Sequence, residues 1–167
     1  MEFIAGYDYK KNGYTFNELR KEYIEEVGNF GEDDEKFLKD DPSHLIVMLE
    51  EKNILGWAIW HESNTREHQP GYPRDAEDVK ILEDLANGSH EIIELHELWL
   101  KKGHRGKGYG VQFFDFFEKF VLERDYDKII YYAYNDSAIN LCRKRGYKER
   151  FYEELKWHTF YKQIKNI

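Results

Sequence analysis

Between a β-prone run at residues 91–100 and a long apolar-faced run at 108–124 stands Arg105-Gly106-Lys107-Gly108-Tyr109-Gly110. Three glycines at a strand-to-helix junction let the backbone turn tightly and let a ligand approach without a Cβ in the way. The helix that follows begins with N–H groups lacking intrahelical partners and with the positive end of its dipole, which together favour an anion. The surrounding segment Lys101-Lys102-Gly103-His104-Arg105-Gly106-Lys107 carries four cations and no acid. The pattern is not a P-loop, which needs GxxxxGK[ST]. It is not a Rossmann fingerprint either, because Val111 stands where the third glycine belongs.

The rest of the chain makes this cationic segment an exception. The formal net charge is -8, which disfavours the diffuse attraction to phosphate backbones on which nucleic-acid binders rely. One basic loop on an acidic protein points to a single small anionic ligand, although a solvated charge run has the same composition. The length of 167 residues, with 41% hydrophobic and 17% aromatic content, suits one compact domain with a Phe- and Tyr-rich core. Cys142 is the single cysteine, so no intramolecular disulfide forms. No leader-like segment or long apolar run is present. The expectation is therefore a cytoplasmic protein with no membrane or nucleic-acid partner.

The order of elements reads as α/β. A short strand is expected at 3–9, and Thr15 with Glu18 three residues later forms a capping box opening a helix toward Val27. A short helix is expected at 33–39. Apolar runs at 44–50 and 54–61, separated by a polar turn around Lys52 and Asn53, read as an antiparallel hairpin. The pattern breaks at 62–90, which holds Pro70, Gly71 and Pro73 and then a helix-like stretch at 75–86 with Val79, Leu82 and Leu85 at helical spacing. A strand at 91–100 precedes the helix at 108–124, whose apolar face is read as Val111, Phe113, Phe114, Phe117, Phe120 and Val121. A strand at 128–134, a helix at 137–145 capped by Asp136 or Ser137 and ended by Gly146, and a last strand at 155–162 complete a mixed central sheet.

RGKGYG also fits the (Q/R)xxGx(G/A) signature of the GNAT acetyltransferases. The later stretch NDSAINLCRKRGYKE resembles the second segment of that family at Asn135, Ala138, Leu141, Gly146 and Tyr147. The resemblance is strongest over 91–147. It implies a mostly antiparallel sheet flanked by helices, with a V-shaped splay between the strands at 91–100 and 128–134. It further implies an acetyl-CoA-dependent N-acetyltransferase without a metal. In the family, successive amides of the loop, here Arg105 to Gly110, hold the pyrophosphate of CoA, while backbone groups near Leu98 and Leu100 pair with the pantetheine arm. Asn135 is a contact for that arm or, equally, a turn residue capping the next helix.

Acetyl transfer to an amine needs a base for the nitrogen, a donor for the oxyanion and a proton for the departing thiolate. On a strand, Glu94, His96 and Leu98 share one face while Leu95, Glu97 and Trp99 share the other. The family places its base at positions matching Glu94 or His96, so Glu94 is the expected base and His96 its competitor, unless either merely bonds a neighbouring tyrosine. Polar residues at Glu94, His96 and Glu97 also suggest a solvated cleft. The tyrosine that commonly protonates the thiolate is replaced by Cys142. This thiol either serves as the acid or fills core, leaving Tyr134, Tyr147 or water for the role.

The acceptor is expected to be a small-molecule primary amine attacked directly in a ternary complex. Residues 62–90, an insertion relative to many family members, carry seven acids and three Lys or Arg, a net charge of -4. They suit a lid that attracts a cationic amine, or an acidic surface used in packing or in a homodimer. A protein-modifying acetyltransferase and a non-catalytic acyl-CoA-binding module are the rival readings.

Overall fold

The computed structural model describes residues 1–28, 38, 41–63, 80, 83–85, 92–153 and 156–164. Seven strands form one sheet in the order β1-β2-β3-β4-β5-β7-β6: β1 (Glu2–Ala5), β2 (Leu45–Glu50), β3 (Asn53–Ser63), β4 (Ile92–Leu100), β5 (Lys128–Ala133), β6 (Lys148–Tyr152) and β7 (Trp157–Gln163). Three helices are described: α1 (Phe16–Val27), α2 (Tyr109–Leu122) and α3 (Asp136–Lys144). This is the mixed, mostly antiparallel α/β sheet expected from the sequence. The chain divides into two compact units, Met1–Trp60 with Glu97–Tyr109, and His61–His96 with Gly110–Ile167. Both β3 and β4 run through the two.

In the first unit, β1 pairs antiparallel with β2, and β2 with β3. The hairpin turn is Glu51-Lys52, both with positive φ (50° and 72°), so Asn53 already belongs to β3. The strand expected at 3–9 ends at Ala5, because Gly6 takes φ 69° and the N–H groups of Gly6 and Tyr7 both turn to the carbonyl of Leu45. The capping box at α1 is present in full, with Thr15 Oγ1 accepting from Glu18 N at 3.2 Å and Glu18 Oε2 accepting from Thr15 N at 2.7 Å. The buried face of α1, Leu19 and Tyr23, joins Leu45, Val47, Trp57 and Trp99 in one apolar cluster. Of the helix expected at 33–39 only Leu38 is described; it is helical and buried in that cluster.

The second unit is built on aromatic packing. Phe113, Phe114, Phe117, Phe120 and Val121 of α2 are buried, as the spacing predicts. Val111 is not: it is 46% exposed, since at 100° per residue it lies about 120° round the helix from the centre of that stripe. Phe114 meets Tyr131 and Tyr147 edge-on at centroid distances of 5.9 and 5.8 Å. The cap of α3 is Asn135, not Asp136 or Ser137, with Asn135 Oδ1 accepting from Ala138 N at 2.9 Å. β7 pairs antiparallel with both β5 and β6. The sequence reading missed β6 because Lys148, Glu149 and Arg150 give it the charged pattern of an edge strand rather than an apolar run. In the stretch 62–90, Lys80 and 83–85 are helical, as expected for 75–86; the rest, apart from 62 and 63, lies outside the described residues.

β4 and β5 run parallel, which requires the crossover that α2 supplies. Their register carries three pairs, Ile93 with Ile129, Glu94 with Ile130 and Leu95 with Tyr131, and ends there, although β4 continues to Leu100 and β5 to Ala133. The ladder thus stops where the strands were expected to splay.

Gly56 on β3 marks a close approach of β3 to β4 and β2. A Cβ there would lie 2.5 Å from the carbonyl oxygen of Trp99 and 2.7 Å from the methyl carbon of Met48. The backbone contact cannot yield by a side-chain rotation. Gly56→Ala is expected to lose about 1–3 kcal/mol of stability, the range for overpacking, as read from the urea midpoint. An unchanged midpoint would show that the strands can move apart at that point.

Candidate active site

β4 carries the candidate bases. Glu94 is 3% exposed, opposite the apolar Ile130 of β5, so the expected solvated cleft does not extend to it. An unpaired carboxylate there would be costly, and it is not unpaired. Glu94 Oε1 lies 3.0 Å from Nδ1 of His96 and 3.4 Å from Nε2 of His61, which arrives from β3. Burial pushes the Glu94 carboxyl up, but the charges and hydrogen bonds of His61 and His96 outweigh it and hold the group well below the usual carboxylate range. For His61 burial pulls the other way, and Glu94 overrides it, so the imidazole is raised above its ordinary value. The rings of His61 and His96 lie 5.5 Å apart, tilted by 47°.

His61 was not picked out in the sequence, because nothing at 54–61 distinguishes the last residue of an apolar strand as a partner for Glu94. The three groups are donors of the kind that hold a divalent cation, and one atom of each lies within 4.8 Å of the others. His96 hydrogen-bonds Glu94 Oε1 at 3.0 Å, and His61 lies at ion-pair distance, 3.4 Å, from the same oxygen. Glu97, on the other face of β4, accepts from the hydroxyl of Tyr23 at 3.1 Å and from Leu98 N at 3.2 Å.

Cys142 is fully buried, and burial pushes its thiol up to about 12, with Glu118 and Glu149 adding to the shift and Arg145 opposing it. Such a thiol would surrender its proton to a departing thiolate only uphill. Tyr147 is buried too; its hydroxyl donates to Glu118 Oε1 at 3.2 Å, and burial followed by Glu118's charge raises it well above the normal phenol range. Of the three candidates for the acid, Tyr134 is the one facing solvent, at 58% exposed.

The loop behaves as its glycines require. Gly106 and Gly108 take φ 75° and 83°, a region that other residues rarely enter. No backbone hydrogen bond is made by the N–H groups of Gly106, Lys107 or Gly108 among the described residues, and α2 begins at Tyr109. A Cβ at Gly110 would sit 3.2 Å from the Leu141 side chain of α3, a tight contact that Leu141 would have to relieve by a few tenths of an ångström. The cations are less available than the sequence implies. Arg105 is held by Glu26 of α1 at 2.5 and 2.8 Å, and its Nε donates to the carbonyl of Leu100 at 2.7 Å. Lys101 pairs with Glu22 at 2.6 Å. The hydroxyl of Tyr109 points to Glu50 at 3.4 Å.

A model of the Acetyltransferase (GNAT) family matches residues 9–147. The chain belongs to that family. It is accordingly an acetyl-CoA-dependent N-acetyltransferase by class. No curated protein matches. Among solved structures, a Drosophila melanogaster polyamine N-acetyltransferase that catalyses formation of N-acetylagmatine aligns with 98% of this chain and 100% of its own, at 12% identity and TM-score 0.72. A mosquito arylalkylamine N-acetyltransferase like 5b aligns over 83% and 84% at 15% identity and TM-score 0.60. A chain of the NatC complex bound to Gag peptide and CoA aligns over 100% of both at 15% identity and TM-score 0.63. At these identities the likeness is one of fold.

A small cleft of about 130 Å³ beside α1 includes Glu18, Glu22 and Trp99 in its lining. Of its two acids, Glu22 is paired with Lys101, while Glu18 accepts from the neutral Thr15 at the helix cap. In the insertion, Asp84 accepts from the hydroxyl of Tyr152 at 3.3 Å. The remainder of the expected acidic lid lies outside the described residues, apart from Glu62 and Glu83. No described helix is long and apolar enough to cross a membrane.

Burial sets the behaviour of Cys142. In the folded enzyme its thiol is expected to resist iodoacetamide at pH 8, where the unfolded chain reacts readily. Cys142→Ala is expected to cost about 1 kcal/mol, the scale of one buried methyl-sized deletion, and to leave turnover within twofold. A folded Cys142→Ala enzyme losing a hundredfold in turnover would return Cys142 to the catalytic role.

Proposed function

We propose that the chain works over residues 1–167 as one acyltransferase domain that moves the acetyl group of acetyl-CoA to the primary amine of a small molecule. Attack is direct, within a ternary complex. The observation that carries this reading is the buried Glu94–histidine cluster on β4, the strand whose chain continues into the phosphate-type loop. The pyrophosphate of CoA lies on the amides of Gly106, Lys107, Gly108, Tyr109 and Gly110 at the start of α2. Lys102 and Lys107 supply charge, while Arg105, locked to Glu26 and Leu100, holds the loop in shape. The pantetheine arm follows β4 beyond the end of its ladder with β5, near Leu98 and Leu100, and Asn135 offers its remaining amide hydrogens while capping α3. Glu94 and His96 serve the deprotonation of the amine, and the thiolate takes its proton from solvent or Tyr134 rather than from Cys142. The site works in the cytoplasm.

The relatives acting on agmatine and arylalkylamines support a cationic small-molecule amine as acceptor. A second reading, acetylation of a protein amine, is supported by the likeness to the NatC chain.

Incubating the protein with acetyl-CoA and a panel of polyamines, agmatine, arylalkylamines, amino sugars and peptides, with free thiol as readout, tests the reading. Thiol release with a small amine is expected. Release with peptides alone would select the second reading, and acetyl-CoA binding with no turnover on any amine would mark a binding module. Gly108→Val places a β-branched residue at φ 83° and is expected to weaken acetyl-CoA at least tenfold by calorimetry, about 1.4 kcal/mol. Unchanged affinity in a folded variant would move the cofactor elsewhere.

A further inference from the structure

His61 lies outside every role assigned so far, yet its surroundings are unusually specific. Its Nδ1 is 3.0 Å from the carbonyl oxygen of Glu62, and its Nε2 is 3.4 Å from Glu94 Oε1. A carbonyl and an ionised carboxylate only accept hydrogen bonds. Both ring nitrogens are therefore satisfied together when both carry a proton, which is the imidazolium. His96 differs. Its Nδ1 faces the same Glu94 oxygen at 3.0 Å, so that nitrogen carries the hydrogen and, in the neutral ring, Nε2 is the basic atom.

We propose that His61 is a positioning residue which, as an imidazolium, balances the buried Glu94 carboxylate, so that Glu94 fixes His96 in the tautomer whose Nε2 takes the proton from the acceptor amine. The inference rests on the acetyltransferase reading above and moves the base from Glu94 to His96. One proton of the ammonium passes to His96 Nε2, and the freed lone pair forms the C–N bond to the acetyl carbonyl as the C–S bond breaks. The second N–H proton and the thiolate leave as free CoA thiol through solvent. His96 then releases its proton to solvent, so the cycle yields amide, thiol and one proton.

The arrangement explains why a buried carboxylate is kept. Glu94 held well below the carboxylate range is a poor base for an ammonium but a good orienter, and a carboxylate behind an imidazole strengthens that ring as a base. The cation at His61 keeps this strengthening from going so far that His96 is itself protonated. Among the described residues, the titratable groups that act on His61 are Glu94 and His96 on β4; Glu62 beside it on β3 meets the ring through its backbone carbonyl, and its carboxylate interacts with Arg124 after α2. Opposite Glu94, β5 presents Ile130 and no charge.

Two measurements test the proposal. Imidazole ¹⁵N NMR of the intact protein at pH 7 is expected to show one histidine protonated on both nitrogens, lost in His61→Gln, and His96 protonated on Nδ1 alone. A neutral His61, or a proton on Nε2 of His96, overturns the proposal. That readout needs no turnover, so an inactive wild type would refute the acetyltransferase reading and leave the arrangement to be judged separately. The second measurement is the pH dependence of kcat/KM for the best amine. Without its cation, Glu94 has only His96 to pair with and raises that ring's pKa. His61→Gln is therefore expected to move the acid limb about one unit toward higher pH, losing roughly tenfold at pH 6 and little at pH 9, with acetyl-CoA affinity unchanged. A loss equal at all pH values, as a packing role would give, or an unshifted limb, overturns it. His96→Gln is expected to lose a hundredfold or more across the range, and wild-type rates in that variant would also overturn it. So would a stoichiometric, tightly bound divalent metal in the purified protein whose removal abolishes turnover.

Discussion

A carboxylate in the middle of a sheet is the constraint around which the second unit is arranged. Glu94 lies beside Ile93 and Leu95 on a strand whose residues 92–95 are all buried, and its neighbour across the ladder is Ile130. Leaving such a group ionised and alone would cost several kcal/mol, so the fold must bring it a cation or neutralise it. It brings His61 from β3 and His96 from two residues along β4, and the negative charge survives. Replacing the trio by apolar residues would pack as well, and by the general behaviour of buried ion pairs would be no less stable. Its retention is therefore better explained by chemistry than by stability, and its position one residue before the β4–β5 ladder ends at Leu95 puts it next to the point where the two strands stop pairing.

The loop after β4 solves the opposite problem, exposing positive character without relying on net charge. Two of its four cations are spent on α1, where Glu26 grips Arg105 with both carboxylate oxygens and Glu22 meets Lys101. Glu26 also accepts from the indole of Trp99 at 3.2 Å, so the same carboxylate ties the loop to the aromatic cluster of Tyr23, Trp57 and Trp99. The gain is a loop of defined shape. Glycines at positive φ then present backbone amides, which cost less to desolvate than a lysine ammonium and whose directions are set by the chain. A pyrophosphate is recognised in this scheme by geometry first and charge second, which suits a protein of net charge -8.

Local signals in the chain were legible and distant pairings were not. The Thr15–Glu18 box, the β2–β3 hairpin, the phenylalanine stripe of α2 and the glycine loop each depend on residues a few positions apart, and each stands where the spacing put it. Asn135 caps α3, which is one of the two roles read for it, whereas the helix boundary had pointed to Asp136 or Ser137, a shift of one that caps routinely allow. β6 escaped because an edge strand is selected for charge as much as for β propensity. The partnership of His61 with Glu94 and that of Glu26 with Arg105 join elements far apart in sequence. Neither leaves a trace in periodicity, and both bear on the chemistry: the first gives the buried Glu94 two histidine partners, and the second ties Arg105 to α1.

The substitution of Cys142 for the family's tyrosine then acquires a physical meaning. At that point on α3 the side chain is sealed under Glu118, Arg145 and Tyr147, a network in which Glu118 accepts from Arg145, Lys162 and the Tyr147 hydroxyl. A phenol at position 142 would have to find room and a partner in that network, whereas a thiol needs neither, being small and a weak donor. What the smaller residue gives up is a fixed proton donor for the thiolate. That loss is tolerable for this leaving group. A thiolate is already stable near neutral pH, so its departure from a tetrahedral intermediate needs less help than that of an alkoxide, and protonation can follow in solvent. Deprotonating the amine is the harder demand, because an ammonium must lose its proton before it can attack at all. In the proposed mechanism the residues on β3 and β4 serve that step, and the helix that elsewhere supplies the acid contributes packing.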